Sequence, residues 1–355
     1  MSRMSLLVAL VLGGVTAAPA AEPKKDPRAK EVDAAIRRAL VYLKNNQQAD
    51  GTWSAQQRGS KPAITALAVM AFLSAGHVPG EGPYGKVVEK GVRAVLRMQH
   101  GNGLIADDGQ WEMYNHGICT LMLAEVAGMT QGPLAAEIKK KLENAVKIIL
   151  RAQRKGRNAY DSYRGGWRYR VAGTDADMSV TGWQLMALRA SKNLGCDVPP
   201  EAIERAVEYI KRSQDRGTGG FCYMPQGGVT VPCTGTGILA LELCGKGEHH
   251  SQEVLRAGNF LLRSPPRWGA GPFFFYSIYY CSQASFQLGG NYWEFFRPYL
   301  HKALLENQTS TGGWTDPDPR NQGPNYGTAM AVLALTVEYR FLPIYQRGEE
   351  PMDKK

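Results

Sequence analysis

The eleven residues from Tyr160 to Arg170 read Tyr-Asp-Ser-Tyr-Arg-Gly-Gly-Trp-Arg-Tyr-Arg, an unusual density of rings and guanidinium groups. Arginine pairs with a carboxylate or phosphate through a planar fork. Tyrosine and tryptophan faces stack on sugars or prenyl chains. Tyr163, Arg164, Trp167 and Arg168 are therefore candidates for a ligand rim. The competing reading is a rigid loop with arginine packed on tryptophan. Farther along, Phe273-Phe274-Phe275-Tyr276 and Tyr279-Tyr280 could face an interior and stabilise a carbocation, or simply pack a core. Tyr114, Asn115 and His116 form a polar opening to an apolar run. His116 could be a base, a ligand or a partner for a neighbouring loop. His116 and Cys119 share a helix face at i, i+3, but two ligands without a third make no metal site. Gly-x-Ser-x-Gly, a phosphate-binding glycine loop and His-Glu-x-x-His are all missing from the sequence, and no cofactor is predicted.

The elements that must position these groups follow a repeat. Gln47-x-x-x-Gly51-x-Trp53 recurs as Gln308-x-x-x-Gly312-x-Trp314. Weaker copies lie at Gln99/Gly103, Gln153/Gly165-Gly166-Trp167 and Gln214/Gly219-Gly220-Phe221. Between them two kinds of helix alternate. Val32, Ile36, Leu40 and Leu43 make a single apolar stripe, and Lys86–Met98, Ala135–Arg151, Glu201–Ser213 and Gln252–Leu262 have the same character. Ile64–Leu73, Gly117–Ala127, Val180–Ala190, Gly235–Cys244 and Thr328–Val337 are apolar nearly all round and must be enclosed. The matching alanines Ala71, Ala124, Ala187, Ala240, Ala284 and Ala334 count six hairpins. Gly76, Gly128, Gly195, Gly245 and Gly289 are expected to be left-handed caps. In each loop, Gln should supply a donor to free carbonyls at the end of the outer helix, and Trp should bury its ring against the next hairpin. An inner ring of six helices within an outer ring of six fits these patterns, and an open superhelix fits nearly as well.

Residues 1–21 read as a secretory signal: Arg3, an apolar run from Leu6 to Val15, then Ala17-Ala18-Pro19-Ala20-Ala21. The run is shorter than the ~20 residues that span a bilayer. The predicted organisation is signal 1–21, linker 22–30, repeat domain 31–345 and polar tail 346–355, in an exported protein, periplasmic or secreted. The net charge of +10 is spread rather than clustered. It permits peripheral contact with a membrane or anionic polymers, and nucleic acid is excluded as a partner by export. Six cysteines with no Cys-x-x-Cys leave disulfide pairing and assembly state open.

The glutamine–tryptophan units, each followed by an apolar helix, resemble the prenyltransferase and squalene-hopene cyclase repeat superfamily over roughly residues 31–345. The resemblance implies an all-α fold, an α/α toroid closed as a double ring of about six hairpins. It also implies chemistry where the inner helices begin, which directs attention to His116, Asp175, Asp177, Cys233 and Tyr326. Protein prenyltransferases hold zinc through Asp-x-Cys and a later His. Here those places read Val231-Pro232-Cys233 and Tyr326-Gly327, so zinc and the usual partner subunit are not implied. Cyclases protonate an alkene with the middle acid of Asp-x-Asp-Asp. Asp175-Ala176-Asp177-Met178 matches two of the three acids, making Asp177 the implied proton donor with Asp175 beside it. Set against this, Asp177 or Ser179 could merely cap the third inner helix. Tyr114 and Tyr280 complete the candidate ligand-binding set. The cyclases have two such barrels with the chamber between them, so one barrel would need a dimer, a partner or a smaller substrate. Three functions stay in play: an isoprenoid-binding, cyclase-like barrel; a carbohydrate-active barrel acting on a glycan; and a non-catalytic binding scaffold.

Overall fold

In the computed structural model, the described residues are 27–56, 60–107, 109, 111–155, 161–245, 247–315 and 322–346. The expected signal at 1–21, most of the linker, nearly all of the polar tail and Tyr160 lie outside them. The described residues form six helical hairpins. In chain order these are α1 (Ala29–Asn45) with α2 (Lys61–Ser74), α3 (Gly85–Arg97) with α4 (Glu112–Met129), and α5 (Gly132–Ala152) with α6 (Met178–Asn193). Then come α7 (Pro200–Arg212) with α8 (Val231–Cys244), α9 (Gln252–Leu261) with α10 (Phe274–Leu288), and α11 (Gly290–Leu305) with α12 (Pro324–Leu335).

Odd-numbered helices bury one stripe and even-numbered ones nearly every residue, as their patterns demand: α2 is enclosed from Pro62 to Ser74. Each even helix packs on the next, and α12 packs on α2, so the inner ring closes. At the seam Thr336 Oγ1 donates to Ser74 Oγ (2.9 Å) and Asn325 Nδ2 to the Ser54 carbonyl (3.1 Å). The open superhelix is excluded. The sixth outer helix, α11, has no clean stripe in the sequence because Pro298 and several aromatics interrupt it.

The repeated glutamine does a different job from the one expected. Its amide donates to the carbonyl of its own motif glycine and to one on the next outer helix. Gln47 reaches Val87, Gln99 reaches Lys141, Gln153 reaches Ala202, Gln214 reaches Glu253 and Gln308 reaches Ala35, all at 2.7–2.9 Å. The glycine then lies against the carbonyl three residues further along that helix. At Gly165 (φ +92°) an added Cβ would sit 1.9 Å from the Arg205 oxygen, so only glycine fits. Tryptophan completes the joint: the Nε1 of Trp53, Trp167 and Trp314 donates to the carbonyls of Leu43, Ile149 and Leu304, closing back on its own hairpin. Among the six junctions only α9 to α11 has no such glutamine. Gly76, Gly195 and Gly289 have positive φ, whereas Gly128 lies within α4 and Gly245 has φ −79°, so those two are not left-handed caps. All six cysteines are buried and none forms a disulfide.

Candidate functional site at the barrel mouth

The loop between α5 and α6 is built from its joint outward. The Gly165 amide donates to the Arg154 carbonyl (2.7 Å), and the Trp167 amide donates to Thr181 Oγ1 (3.0 Å) on the inner helix. Arg154, almost wholly buried, donates to the carbonyls of Ala152, Arg170, Val171 and Asp175. A guanidinium has enough donors to clasp several carbonyls at once. Nothing in the local sequence pattern marks Arg154 for this work.

The clasp delivers Asp177 to the first turn of α6. Its amide donates to the Trp167 carbonyl (3.0 Å), and its Oδ1 accepts from the Val180 amide (2.9 Å), an N-cap. The other oxygen, Oδ2, lies 3.3 Å from Arg168 Nε without hydrogen-bond geometry, and neither atom has another hydrogen-bond partner among the described residues. Asp177 is 0% exposed. Burial raises its pKa to about 7, with the Val180 amide and Arg168 pulling it down and Asp175 adding only the smallest upward push. The neighbouring acid is therefore not what keeps the proton on Asp177. Asp175 is 43% exposed and turns to Arg168 Nη1 at 3.3 Å, where solvent and the cation screen it.

Around this carboxyl the inner helices bring their first turns together. Tyr114 of α4 donates to Ser179 Oγ of α6 (2.5 Å), and Tyr276 of α10 bonds Thr236 of α8 (3.1 Å). Tyr169 and Tyr223 share a hydroxyl–hydroxyl bond, and the Arg168 guanidinium stands 4.5 Å and 5.7 Å from their ring centres. Tyr169 also stacks on Tyr114 (5.8 Å) and meets Trp111 edge-on (4.9 Å). Burial raises the Tyr114 and Tyr276 phenols, so both stay neutral donors. Below them Trp183 stacks on Tyr279 (5.6 Å) and meets Tyr280 edge-on (5.3 Å). The Tyr280 hydroxyl is buried with no hydrogen-bond partner among the described residues.

The expected site residues divide. Asp175, Asp177, Arg168, Tyr114 and Tyr280 converge on the mouth and the interior beneath it. Cys233 is in the first turn of α8, capped by Thr230 Oγ1 (3.2 Å), and burial pushes its thiol up to about 12, leaving it an inert neutral group. Tyr326 lies in the first turn of α12, partly buried. Trp167 is wholly buried in its joint and offers no face to a ligand. Tyr163 is partly buried in the 3₁₀ turn Asp161–Tyr163, and exposed Arg164 pairs with Asp161 (3.0 Å) on the outside of that loop. His116 belongs to the framework. Its Nδ1 accepts from the Ile105 amide (3.1 Å), the place threonine takes in four other repeats, and Nε2 donates to the Ala145 carbonyl (2.9 Å). With both nitrogens engaged it does not ligate a metal with Cys119, and burial lowers its pKa to about 4. Tyr169, Tyr223, Tyr276 and Ser179 carry more of the mouth than sequence spacing indicates, because each helix contributes only one or two residues to it.

Beside the mouth a cavity of about 390 Å³ opens between Asn102, Leu104, Glu112, Arg151, Arg170 and Val171. Glu112 meets Arg170 (3.4 Å) and accepts from the Val171 amide (3.1 Å). Among the described residues, no helix is long and apolar enough to cross a membrane.

No family model and no curated protein matches the chain. Solved structures do resemble it. The type II terpene cyclase MstE from Scytonema, bound to geranylgeranyl dihydroxybenzoate, aligns at TM-score 0.61 and 13% identity over 89% of this chain and 99% of that one. Cellobiose 2-epimerase from Bacillus thermoamylovorans aligns at 0.62 and 11% identity, over 86% of this chain and 99% of that one. A D-mannose isomerase aligns at 0.61 and 11%, over 90% and 100%. At these identities the likeness shows the fold, an α/α toroid, and the fold serves both isoprenoid and sugar chemistry. The terpene cyclase chain is matched almost end to end by this single barrel.

Proposed function

We propose that this is an exported, squalene-cyclase-like repeat protein that binds an isoprenoid at the barrel mouth and protonates its alkene with Asp177. One observation carries the reading: a fully enclosed carboxyl, held at about 7, with one oxygen fixed by its cap and the other free of hydrogen bonds beside Arg168. An acid with a pKa near the working pH is a competent proton donor. In the step proposed, the Asp177 O–H bond breaks and its proton bonds to one alkene carbon. The π electrons form that new C–H bond, and the cation left on the other carbon draws further double bonds into rings. The Arg168 cation offsets the carboxylate that remains, and the faces of Tyr114, Tyr276, Tyr280 and Trp183 offer electron-rich surfaces to the carbocation. A final proton leaves to solvent, and Asp177 regains one. Trp183, Tyr279 and Tyr280 already fill the interior, which favours a short isoprenoid or one lying across the mouth.

The test is incubation with squalene, geranylgeraniol and geranylgeranyl diphosphate, with products read by mass spectrometry alongside molecules that co-purify. Cyclic product from wild type and none from Asp177→Asn is the expected result. Failure of wild type to bind or convert any isoprenoid would overturn the reading.

A second reading has an observation of its own. The cavity has the size of a small-ligand cleft, and on a mainly apolar wall Glu112, Arg151, Arg170 and Asn102 supply the polar groups that sugar hydroxyls would bond. A carbohydrate-active barrel would bind on a glycan array and lose that binding in Arg170→Ala. A non-catalytic scaffold, the third alternative, predicts no turnover and only a capping defect of about 1 kcal/mol in Asp177→Ala.

A further inference from the structure

At the opposite end of the fourth hairpin, where α8 turns toward α9, Glu242, His249 and His250 bring one ligand atom each within 4.8 Å of one another. The Glu242 side chain is 0% exposed although the residue stands in the last turn of α8. Its Oε1 accepts from the His250 amide (2.8 Å), and its Oε2 meets His249 Nδ1. His250 sits at φ +52°, a conformation that side chains other than glycine seldom adopt. The two imidazoles lie together at 4.0 Å between ring centres, on the solvent side. Lys211 of α7 holds the loop from below through Glu248 (2.8 Å).

From this clustering we infer a divalent transition-metal site, with Glu242, His249 and His250 as ligands and zinc as the ion best matched to two imidazoles and one carboxylate. Such a three-ligand set leaves a fourth position for water. Tetrahedral zinc with bonds of ~2.05 Å places its donors about 3.3 Å apart. The widest existing separation, up to 4.8 Å, must therefore contract by about 1.5 Å, while Glu242 Oε2 and His249 Nδ1, now in direct contact, must part to admit the ion; a loop containing Gly245 and Gly247 can make both adjustments. The carboxylate is already oriented by the main chain, which fixes one ligand in advance. The ion would tie the end of α8 to the residues just before Ser251, the N-cap of α9. This site is on the far side of the fourth repeat from the mouth and does not depend on the isoprenoid reading.

The experiment titrates metal-freed full-length protein with zinc chloride by calorimetry, and with cobalt(II) by absorption. Wild type should bind one equivalent, show the intense visible bands of four-coordinate cobalt and gain thermal stability. Glu242→Gln should bind about tenfold more weakly or worse, while its circular dichroism without metal is unchanged. His249→Gln, on the exposed loop, carries the same test should Glu242→Gln fold poorly. Equal affinity in wild type and both variants, or six-coordinate cobalt spectra, would overturn the assignment by showing only surface histidine binding.

Discussion

Both ends of this barrel bury a carboxyl whose hold on its proton is strengthened, and they fix it in opposite ways. At the mouth, Asp177 has one oxygen capped and the other left beside Arg168, within a ring of tyrosines contributed by several helices. At the far end Glu125 of α4 is pushed by burial to about 8 and accepts from the Ile344 amide (3.1 Å). There the chain's own 3₁₀ turn, Pro343–Tyr345, lies on α4 and α6, and Tyr345 bonds Tyr279 (2.6 Å). The far carboxyl is a clasp for a plug made of the same chain. A raised pKa alone therefore does not mark a site. What separates the ends is whether the carboxyl's remaining oxygen is fixed by a main-chain amide or left in an aromatic, cation-bearing surround.

The comparison breaks most severely if the mouth loop proves to be more than a scaffold. Trp167→Ala should cost about 3–5 kcal/mol in urea unfolding, because it empties a buried joint. A small loss with a large change in ligand binding would return Trp167 to the ligand-contacting set. Gln308→Ala, which removes the staple across the seam, should cost about 1–3 kcal/mol. An unchanged urea midpoint would mean that the inner helices alone close the ring.

Proton linkage sharpens the contrast at smaller scale. The folded pKa values of Asp177 and Glu125 lie above their ordinary 3.8 and 4.5, at about 7 and 8. Between those limits the folded protein keeps protons that the unfolded chain has released, so their contribution to stability falls as pH rises and levels off above about 7 and 8. His116, lowered from 6.5 to about 4, works the other way and costs stability as pH falls through that window. Glu125→Gln should lessen the loss of stability between pH 5 and 8 without touching turnover. Asp177→Asn should lessen it too, retain its cap, change stability at pH 5 by less than about 1 kcal/mol, and abolish turnover. If catalysis runs through Asp177, the rate should fall as pH climbs past 7. A rate that holds steady to pH 9 would exclude it as the acid.

How much of this was legible depended on whether the information was local. Helix type follows from residues three and four apart, so α1 to α10 and α12 could be anticipated, while α11 was hidden by Pro298. The motif glycines and tryptophans signalled joints, but the direction of the glutamine staple was not legible, because its acceptors are on the next outer helix, 39 to 49 residues away or across the seam. Asp177 could be picked out with Asp175 beside it, whereas the weight of burial over that neighbour in raising its pKa could not. Side-chain exposure, which decides that question, is not written in spacing. Arg154 and Tyr223 carried no signal, and Tyr276 was visible only as one ring of an aromatic run.

The amino-acid order by itself determined the repeat, the two helix classes and the turns, since these rest on periodicity and on backbone freedom at single residues. Ring closure, the tyrosine cluster around Asp177 and the plug beneath Glu125 were decided only by tertiary packing. Each of them joins residues from different hairpins, and burial and proton affinity are properties of that shared surround.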